Sequence, residues 1–146
     1  MKINFTQILL ALALLSCQPK AASEEIIHIL HSDRPTLVYV RVRSVNFDIH
    51  TFMAISCQGF LKQFDDARTT EITKPAILSQ IDNRASSLRA DTVNTGLDVR
   101  AQADFKYSNG VVSTLCLGKF GMQKDGIRLK SDETLVNLLV PYESLN

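Results

Sequence analysis

The chain has 146 residues, of which 45% are hydrophobic, and its 16 basic and 15 acidic side chains leave a formal net charge of +1. A chain of this length fits one domain and can bury a self-sufficient core. The near-zero charge gives no attraction to nucleic acid or to anionic lipid, so we expect no nucleic-acid partner and no membrane binding through charge.

The N-terminus has the layout of an export signal. A short polar start that carries Lys2 is followed by an unbroken run of Ile, Leu and Ala over residues 8–15. This run is shorter than the ~20 apolar residues that a transmembrane helix needs. We therefore expect residues 1–16 to be a signal peptide that is removed.

The signal ends in the four residues Leu14-Leu15-Ser16-Cys17. They resemble the lipobox of bacterial lipoprotein precursors, in which a Leu, a variable residue and a small residue precede an obligatory Cys. The resemblance implies a diacylglyceryl group on Cys17, cleavage before it and acylation of the new amino terminus. Two or three acyl chains hold a protein at a membrane. Gln18 replaces the aspartate that retains many lipoproteins at the inner membrane, which favours the outer membrane of the cell envelope.

The alternative is a plain secreted protein, cut later at a small-residue site such as Ala21-Ala22-Ser23, with Cys17 lost. In the lipoprotein interpretation, residues 17–25 are a lipidated N-terminus and a short polar tether. The tether holds a single globular domain, residues 26–146, near the membrane surface.

Cys57 and Cys116 are the two remaining cysteines, an even number in an oxidising envelope compartment. We expect a disulfide between them. Two buried free thiols are the first alternative, because a free Cys packs as a small hydrophobe. A reactive redox pair is the second, but the two cysteines do not have the C-x-x-C spacing typical of such pairs.

Strands and short helices are expected to follow one another in the first half of the domain. A first strand is possible over residues 26–31, and residues 36–44 alternate Val with Tyr and Arg, which predicts a half-buried strand. The apolar phase shifts after Ser44 and indicates a bulge or turn. Ser56 is the expected N-cap of a short helix. The apolar face of this helix would carry Phe60, Leu61 and Phe64.

The clearest helix is predicted to follow a short strand at residues 68–72. Thr73 is its expected N-cap, with Pro75 tolerated in the first turn. One apolar stripe at helical spacing should be buried: Ile77, Leu78, Ile81, Ala85 and Leu88. A polar loop over residues 89–96 comes next.

The last third of the chain predicts a meander of strands. Residues 97–107 alternate apolar and polar side chains, and Asn109-Gly110 is a strong signal for a two-residue type I′ hairpin. In the strand register that this two-residue turn sets, Ala103 opposes Cys116, so Cys116 would point to the helix-covered face. A second hairpin is predicted at Asp125-Gly126.

A final helix should complete the domain, with Ser131 as its N-cap and Pro141 at its end. All these elements together predict an α+β fold. Its antiparallel sheet of about four to six strands would pack against two or three helices.

Patterns typical of catalysis are weak in this sequence. His28, His31 and His50 have no Cys or carboxylate at metal-site spacing, so we expect no metal and no cofactor. Asp98 and Asp104 alternate with basic residues and are interpreted as a solvated, self-neutralising strand face.

A second group of carboxylates would change this view. If Asp65, Asp66 or Asp91 lined a deep cleft opposite Glu71 or His50, a small hydrolase or carbohydrate-active subunit would be favoured. A purely structural envelope lipoprotein is a further alternative.

The leading hypothesis is a non-enzymatic binding or accessory module, held at the membrane by the lipid on Cys17. It would present one sheet face, or the loop at residues 89–95, to a protein partner in the envelope. Four aromatic side chains could form an exposed patch for that partner, although core positions are expected for most of them: Tyr39, Phe47, Phe52 and Phe120.

Overall fold

The computed structural model of the protein describes residues 34–92 and 96–140. The described residues from Pro35 onward belong to one compact unit. Several predicted features lie outside the described residues: the signal peptide, Cys17, the tether, the possible strand at residues 26–31, His28, His31, residues 93–95 of the polar loop and Pro141.

Six strands and three helices make up the described part of the chain: β1 (Leu37–Ser44), α1 (Phe60–Gln63), β2 (Arg68–Ile72), α2 (Pro75–Ser87), β3 (Val99–Tyr107), β4 (Val112–Gly118), β5 (Gly121–Lys124), β6 (Ile127–Leu129) and α3 (Glu133–Leu139). The strands form one antiparallel sheet in the order β2-β1-β3-β4-β5-β6. The predicted α+β fold is confirmed.

The main core lies between one face of the sheet and the helices α2 and α3. Alternate side chains of the central strands point into it, because successive residues of a strand face opposite sides. The strand residues buried there include Val40, Val42, Ala101, Ala103, Phe105, Leu115 and Leu117. The predicted stripe of α2 is confirmed, since Leu78, Ile81 and Ala85 are buried and Ile77 and Leu88 pack against the same core.

Both longer helices begin one residue later than predicted. Lys74 rather than Thr73 is the N-cap of α2, without a side-chain cap, and Pro75 takes the first helical position, where its fixed φ fits and no N–H is needed. Asp132 rather than Ser131 caps α3, and its Oδ1 accepts a hydrogen bond of 2.9 Å from the Leu135 N–H.

The first helix is a single turn. Ser56 Oγ accepts a hydrogen bond of 3.1 Å from the Gly59 N–H, but Gly59 itself holds the N-cap position of α1. Of the three side chains expected on its apolar face, Phe60 is buried, Phe64 is partly buried and Leu61 is 40% exposed.

The β3–β4 hairpin differs from its predicted register by one residue. The Tyr107 N–H donates to the Val111 carbonyl at 2.9 Å, and of the turn residues 108–110 only Gly110 has a positive φ, of 83°. A three-residue turn of this kind replaces the expected type I′ turn. Cys116 therefore opposes Gln102 instead of Ala103, and its side chain points away from α2 and α3.

The hairpin between β5 and β6 is confirmed. Asp125 has a φ of 49° and Gly126 a φ of 88°, as a type I′ turn requires at both central positions. The Asp125 carboxylate also accepts hydrogen bonds from the Ser113 hydroxyl at 2.6 Å and from the Thr114 N–H at 2.9 Å. These contacts fix the turn against β4.

A second, smaller core lies on the sheet face opposite α2 and α3. Phe60, Val99 and Cys116 are its buried members, and the segment at residues 45–67 covers them. Cys57 and Cys116 form the predicted disulfide, with their Cα atoms 5.7 Å apart. Because the register is shifted, the bond ties this segment to the second core rather than to the core that the helices cover.

Loss of the disulfide should destabilise the domain strongly. Replacing both cysteines, Cys57→Ala with Cys116→Ala, should lower the free energy of unfolding by about 4 kcal/mol, because the bond spans 59 residues of the unfolded chain. Urea unfolding followed by circular dichroism measures the change. Val112→Ala at an exposed position of β4 is the control and should change stability by less than about 0.5 kcal/mol. Equal midpoints for all three proteins would contradict the expectation.

Candidate binding surface

A buried arginine holds the loop that follows β1 against the sheet. Arg100 of β3 is only 3% exposed, and its guanidinium donates to both carboxylate oxygens of Asp98 at 2.6 Å. The same group donates to the Ile49 carbonyl at 3.0 and 3.2 Å and to the Thr51 hydroxyl at 3.2 Å. A bidentate ion pair of this kind fixes direction as well as distance. Arg100 thus connects β3 to the middle of loop 45–55.

Backbone hydrogen bonds hold both ends of loop 45–55. At its start, the Val45 N–H donates to the Arg100 carbonyl at 2.9 Å. At its end, the Ile55 N–H donates to Asp98 Oδ1, and the Val99 N–H donates to the Ile55 carbonyl, each at 2.9 Å. The loop is therefore fastened to β3 at its two ends and at its centre.

Both carboxylates of the predicted self-neutralising strand face pair with arginines. Asp98 is 42% exposed and pairs with its expected neighbour Arg100, but this arginine is buried under loop 45–55 instead of solvated. Asp104 does lie on the polar sheet face, where its Oδ2 is 2.9 Å from Arg43 Nη1 and its Oδ1 accepts a hydrogen bond of 3.1 Å from the Thr114 hydroxyl.

A cavity of about 300 Å³ lies between loop 45–55, residues 96–98 and the turn that joins β4 to β5. Rings and charged groups alternate in its lining, which includes Phe47, Asp48, His50, Arg100, Lys119, Phe120 and Arg128. Lys119 Nζ lies 3.1 Å from Asp48 Oδ1, and Arg128 Nε lies 3.9 Å from Asp91 Oδ2. The cations of the cavity are therefore matched by carboxylates.

Two glycines allow this close packing. Gly118 and Gly121 are paired across β4 and β5, and a Cβ on Gly118 would lie 2.6 Å from the Asp98 carbonyl oxygen. A Cβ on Gly121 would overlap the Arg128 guanidinium. Because Gly121 has no side chain, Arg128 can lie across β5 at the edge of the cavity.

Large apolar side chains are exposed beside the cavity, and we call Ile49, Phe52, Met53 and Phe120 the apolar rim. Ile49 and Phe120 line the cavity and are 41% and 82% exposed. Phe52 and Met53 follow directly on the same loop, the first fully exposed and the second 79% exposed. The expectation that most of the four aromatic side chains lie in the core is therefore wrong: Phe52 and Phe120 are exposed, Tyr39 is half-buried, and Phe47 is partly buried against the main core.

The carboxylates considered for a hydrolase do not converge on this cavity. Asp65 and Asp66 are exposed in the turn before β2, and Glu71 lies on β2. Of the candidate residues, only His50 is part of the lining. Within residues 34–92 and 96–140, no group of three or more His, Cys, Asp or Glu side chains is placed to hold a metal ion. No helix of these residues is both long and apolar enough to cross a membrane.

Comparison of the chain with protein-family models, with curated proteins and with solved structures gives no match. No family, relative or structural neighbour thus bears on its function.

A cluster of polar side chains lies at the β2 edge, on the sheet face opposite α2 and α3. The Tyr39 hydroxyl donates to Glu71 Oε1 at 2.6 Å and accepts a hydrogen bond of 2.8 Å from Arg41 Nε, while Arg41 Nη2 lies 3.2 Å from Glu71 Oε1. The hydrogen bond from Tyr39 and then that from Arg41 lower the pKa of Glu71. The cluster thus keeps Glu71 ionised and holds its side chain against β1.

Removal of Asp98 should release loop 45–55. Asp98→Ala removes the carboxylate from the buried Arg100 guanidinium, and because the Asp98 side chain is itself 42% exposed we expect a loss of about 2 kcal/mol in the free energy of unfolding. Hydrogen exchange of the loop amides should accelerate as well. Asp48→Ala is the matched control, since its ion pair with Lys119 is exposed and such pairs contribute about 0–1 kcal/mol. The same small effect from both variants would exclude a bracing role for Arg100.

Tyr39→Phe should raise the pKa of Glu71 towards its usual value, because the hydroxyl donor is lost. With its pKa lowered in the folded state, Glu71 stabilises the fold above its unfolded pKa, and this contribution disappears as the pH falls through the folded value. The stability difference between wild type and Tyr39→Phe should therefore shrink on acidification. NMR titration of the Glu71 carboxyl measures the pKa. Tyr107→Phe is the control. It removes a hydroxyl that lies 3.4 Å from Asp82, and it should leave the pKa of Glu71 unchanged.

Proposed function

We propose that this chain is a lipid-anchored, non-enzymatic binding module of the bacterial cell envelope, and that the apolar rim contacts its protein partner. The observation that carries the proposal is the exposure of four large apolar side chains, of which Ile49 and Phe120 line the cavity and Phe52 and Met53 follow on loop 45–55. Concentrated exposed apolar surface of this kind is typical of protein interaction sites.

The brace on loop 45–55 supports a binding role. Association costs free energy whenever flexible segments must be ordered. Arg100 donates a hydrogen bond of 3.0 Å to the Ile49 carbonyl, and Asp98 accepts one of 2.9 Å from the Ile55 N–H, so the backbone of the loop is already fixed at both positions. A partner would therefore meet Phe52 and Met53 on a loop whose conformation is largely set before contact.

The membrane attachment is supported by the resemblance of Leu14-Leu15-Ser16-Cys17 to a lipobox. The disulfide adds an independent observation, because disulfides persist in oxidising compartments such as the bacterial periplasm. Gln18 after the lipidated cysteine favours the outer membrane. The lipid would place the domain close to other envelope proteins, where a surface of modest area can act at high local concentration.

Site-specific photo-cross-linking in intact cells tests the partner surface. A photoreactive phenylalanine analogue replaces Phe52, and in a second variant it replaces Ile127, which is 62% exposed on the β5–β6 hairpin. We expect an adduct to another envelope protein from the first variant and at least tenfold less from the second. Addition of Met53→Ser and Phe120→Ser to the first variant should reduce the adduct, since part of the rim is removed.

The anchor is measured in the same cells. Intact mass of the membrane-extracted chain should match cleavage before Cys17 plus two or three acyl groups, and Cys17→Ser should leave the membrane fraction. Equal cross-linking from positions 52 and 127 would refute the binding surface, and an unmodified Cys17 would refute the anchor.

A further inference from the structure

The cavity beside loop 45–55 contains charges that are already compensated. Each cation of its lining has a carboxylate close by: Lys119 has Asp48 at 3.1 Å, Arg100 has Asp98 at 2.6 Å, and Arg128 has Asp91 at 3.9 Å. A charged ligand would face groups of both signs at similar distances, so attraction and repulsion would largely cancel. It would also lose the hydration of its own charge. The lining therefore favours an uncharged ligand.

The exposed ion pair of the cavity keeps hydrogen-bonding capacity. An ammonium group has three N–H donors, and a carboxylate has about four lone-pair sites. The contact between Lys119 and Asp48 uses only part of both, and the two side chains are 55% and 80% exposed. His50 adds a ring whose nitrogen atoms can donate or accept. Hydroxyl groups, which donate and accept at the same atom, fit such a lining.

Two phenylalanine rings give the cavity an apolar side. Phe120 is 82% exposed, and Phe47 is partly buried against the main core. The face of an aromatic ring carries negative potential, so it attracts the polarised C–H bonds of a ring that lies on it. A purely apolar ligand would take water away from Lys119 and Asp48 without replacing its hydrogen bonds. The lining thus favours a ligand that has both an apolar face and several hydroxyls.

We infer that this cavity binds a neutral sugar ring, with its C–H face on Phe120 and its hydroxyls on the Lys119–Asp48 pair. A sugar ring has hydroxyls around its edge and C–H bonds on its faces, which is the combination that the lining favours. The cavity volume of about 300 Å³ lies at the lower end of the range of small-molecule sites. The inference goes beyond the proposed function, because Phe52 and Met53 of the apolar rim lie outside the lining.

The backbone on both sides of the cavity is fixed before a ligand arrives. On one side, the Arg100 guanidinium donates to the Ile49 carbonyl at 3.0 and 3.2 Å, directly before His50. On the other side, residues 119–120 form the two-residue turn between the paired strands β4 and β5. Binding to a preformed lining avoids the free-energy cost of ordering flexible segments.

Titration with sugars that differ in one charged group tests this inference. The full chain is held in micelles of a detergent without sugar groups, and glucose, galactose and mannose are added in turn. At least one of them should give saturable NMR shifts at the amides of residues 47–51 and 119–120. The corresponding amino sugar and uronate should bind about tenfold more weakly, which corresponds to ~1.4 kcal/mol, because each gives up the hydration of a charge without a net electrostatic gain.

Variants of the lining test the assigned contacts. Phe120→Ala removes the exposed ring and should weaken binding of the neutral sugar about tenfold. Ile127→Ala is the matched control, because Ile127 is 62% exposed but lies on the β5–β6 hairpin outside the lining, and it should bind as the wild type does. Lys119→Ala leaves Asp48 unpaired and should shift the preference towards the amino sugar. Asp48→Ala leaves Lys119 unpaired and should shift it towards the uronate.

No saturable shift from any of the three neutral sugars would overturn the inference, as would tighter binding of an amino sugar or a uronate to the wild type. Undiminished binding by Phe120→Ala would place the sugar elsewhere and would also overturn it. An unchanged preference in both charge variants would reject the role of the ion pair, and with it the inference. Amide shifts outside the lining check that each variant is folded. Cross-linking from Phe52 reports on protein contact alone, so the failure of either proposal can be recognised separately.

Discussion

The pairing of buried Arg100 with Asp98 is the constraint on which the shape of the candidate surface depends. A guanidinium that is 3% exposed must find acceptors for its hydrogens, because an unpaired buried charge costs several kcal/mol. Its acceptors come from Asp98 beside it in the chain and from Ile49 and Thr51, about fifty residues away. Satisfying one charge therefore decides where a whole loop lies, and with it where Phe52 and Met53 are exposed.

The two faces of the sheet have different roles. The face towards α2 and α3 holds the main core and accounts for most of the buried apolar side chains. On the other face, the segment at residues 45–67 covers a small core that contains the disulfide, while Tyr39, Arg41 and Glu71 form a polar cluster at the β2 edge.

Features set by local periodicity could be predicted from the sequence, and features set by distant contacts could not. The stripe of α2 and the turn at Asp125-Gly126 depend on neighbouring residues, so their patterns were sufficient. The sequence Ser108-Asn109-Gly110 permits turns of two or three residues, and that ambiguity moved Cys116 to the other face. The position of Phe52 follows from Arg100, and no pattern near Phe52 indicates such a partner.

The disulfide has a consequence for how the chain responds to a proteolytic cut. Between Cys57 and Cys116 lie α1, β2, α2 and β3, together with exposed loop residues such as Arg89 and Thr92. A single cut in that loop would separate the backbone into two fragments, yet the sulfur bridge would still connect them. The strands of both fragments would remain neighbours in one sheet, so the nicked protein would keep its covalent continuity and its fold.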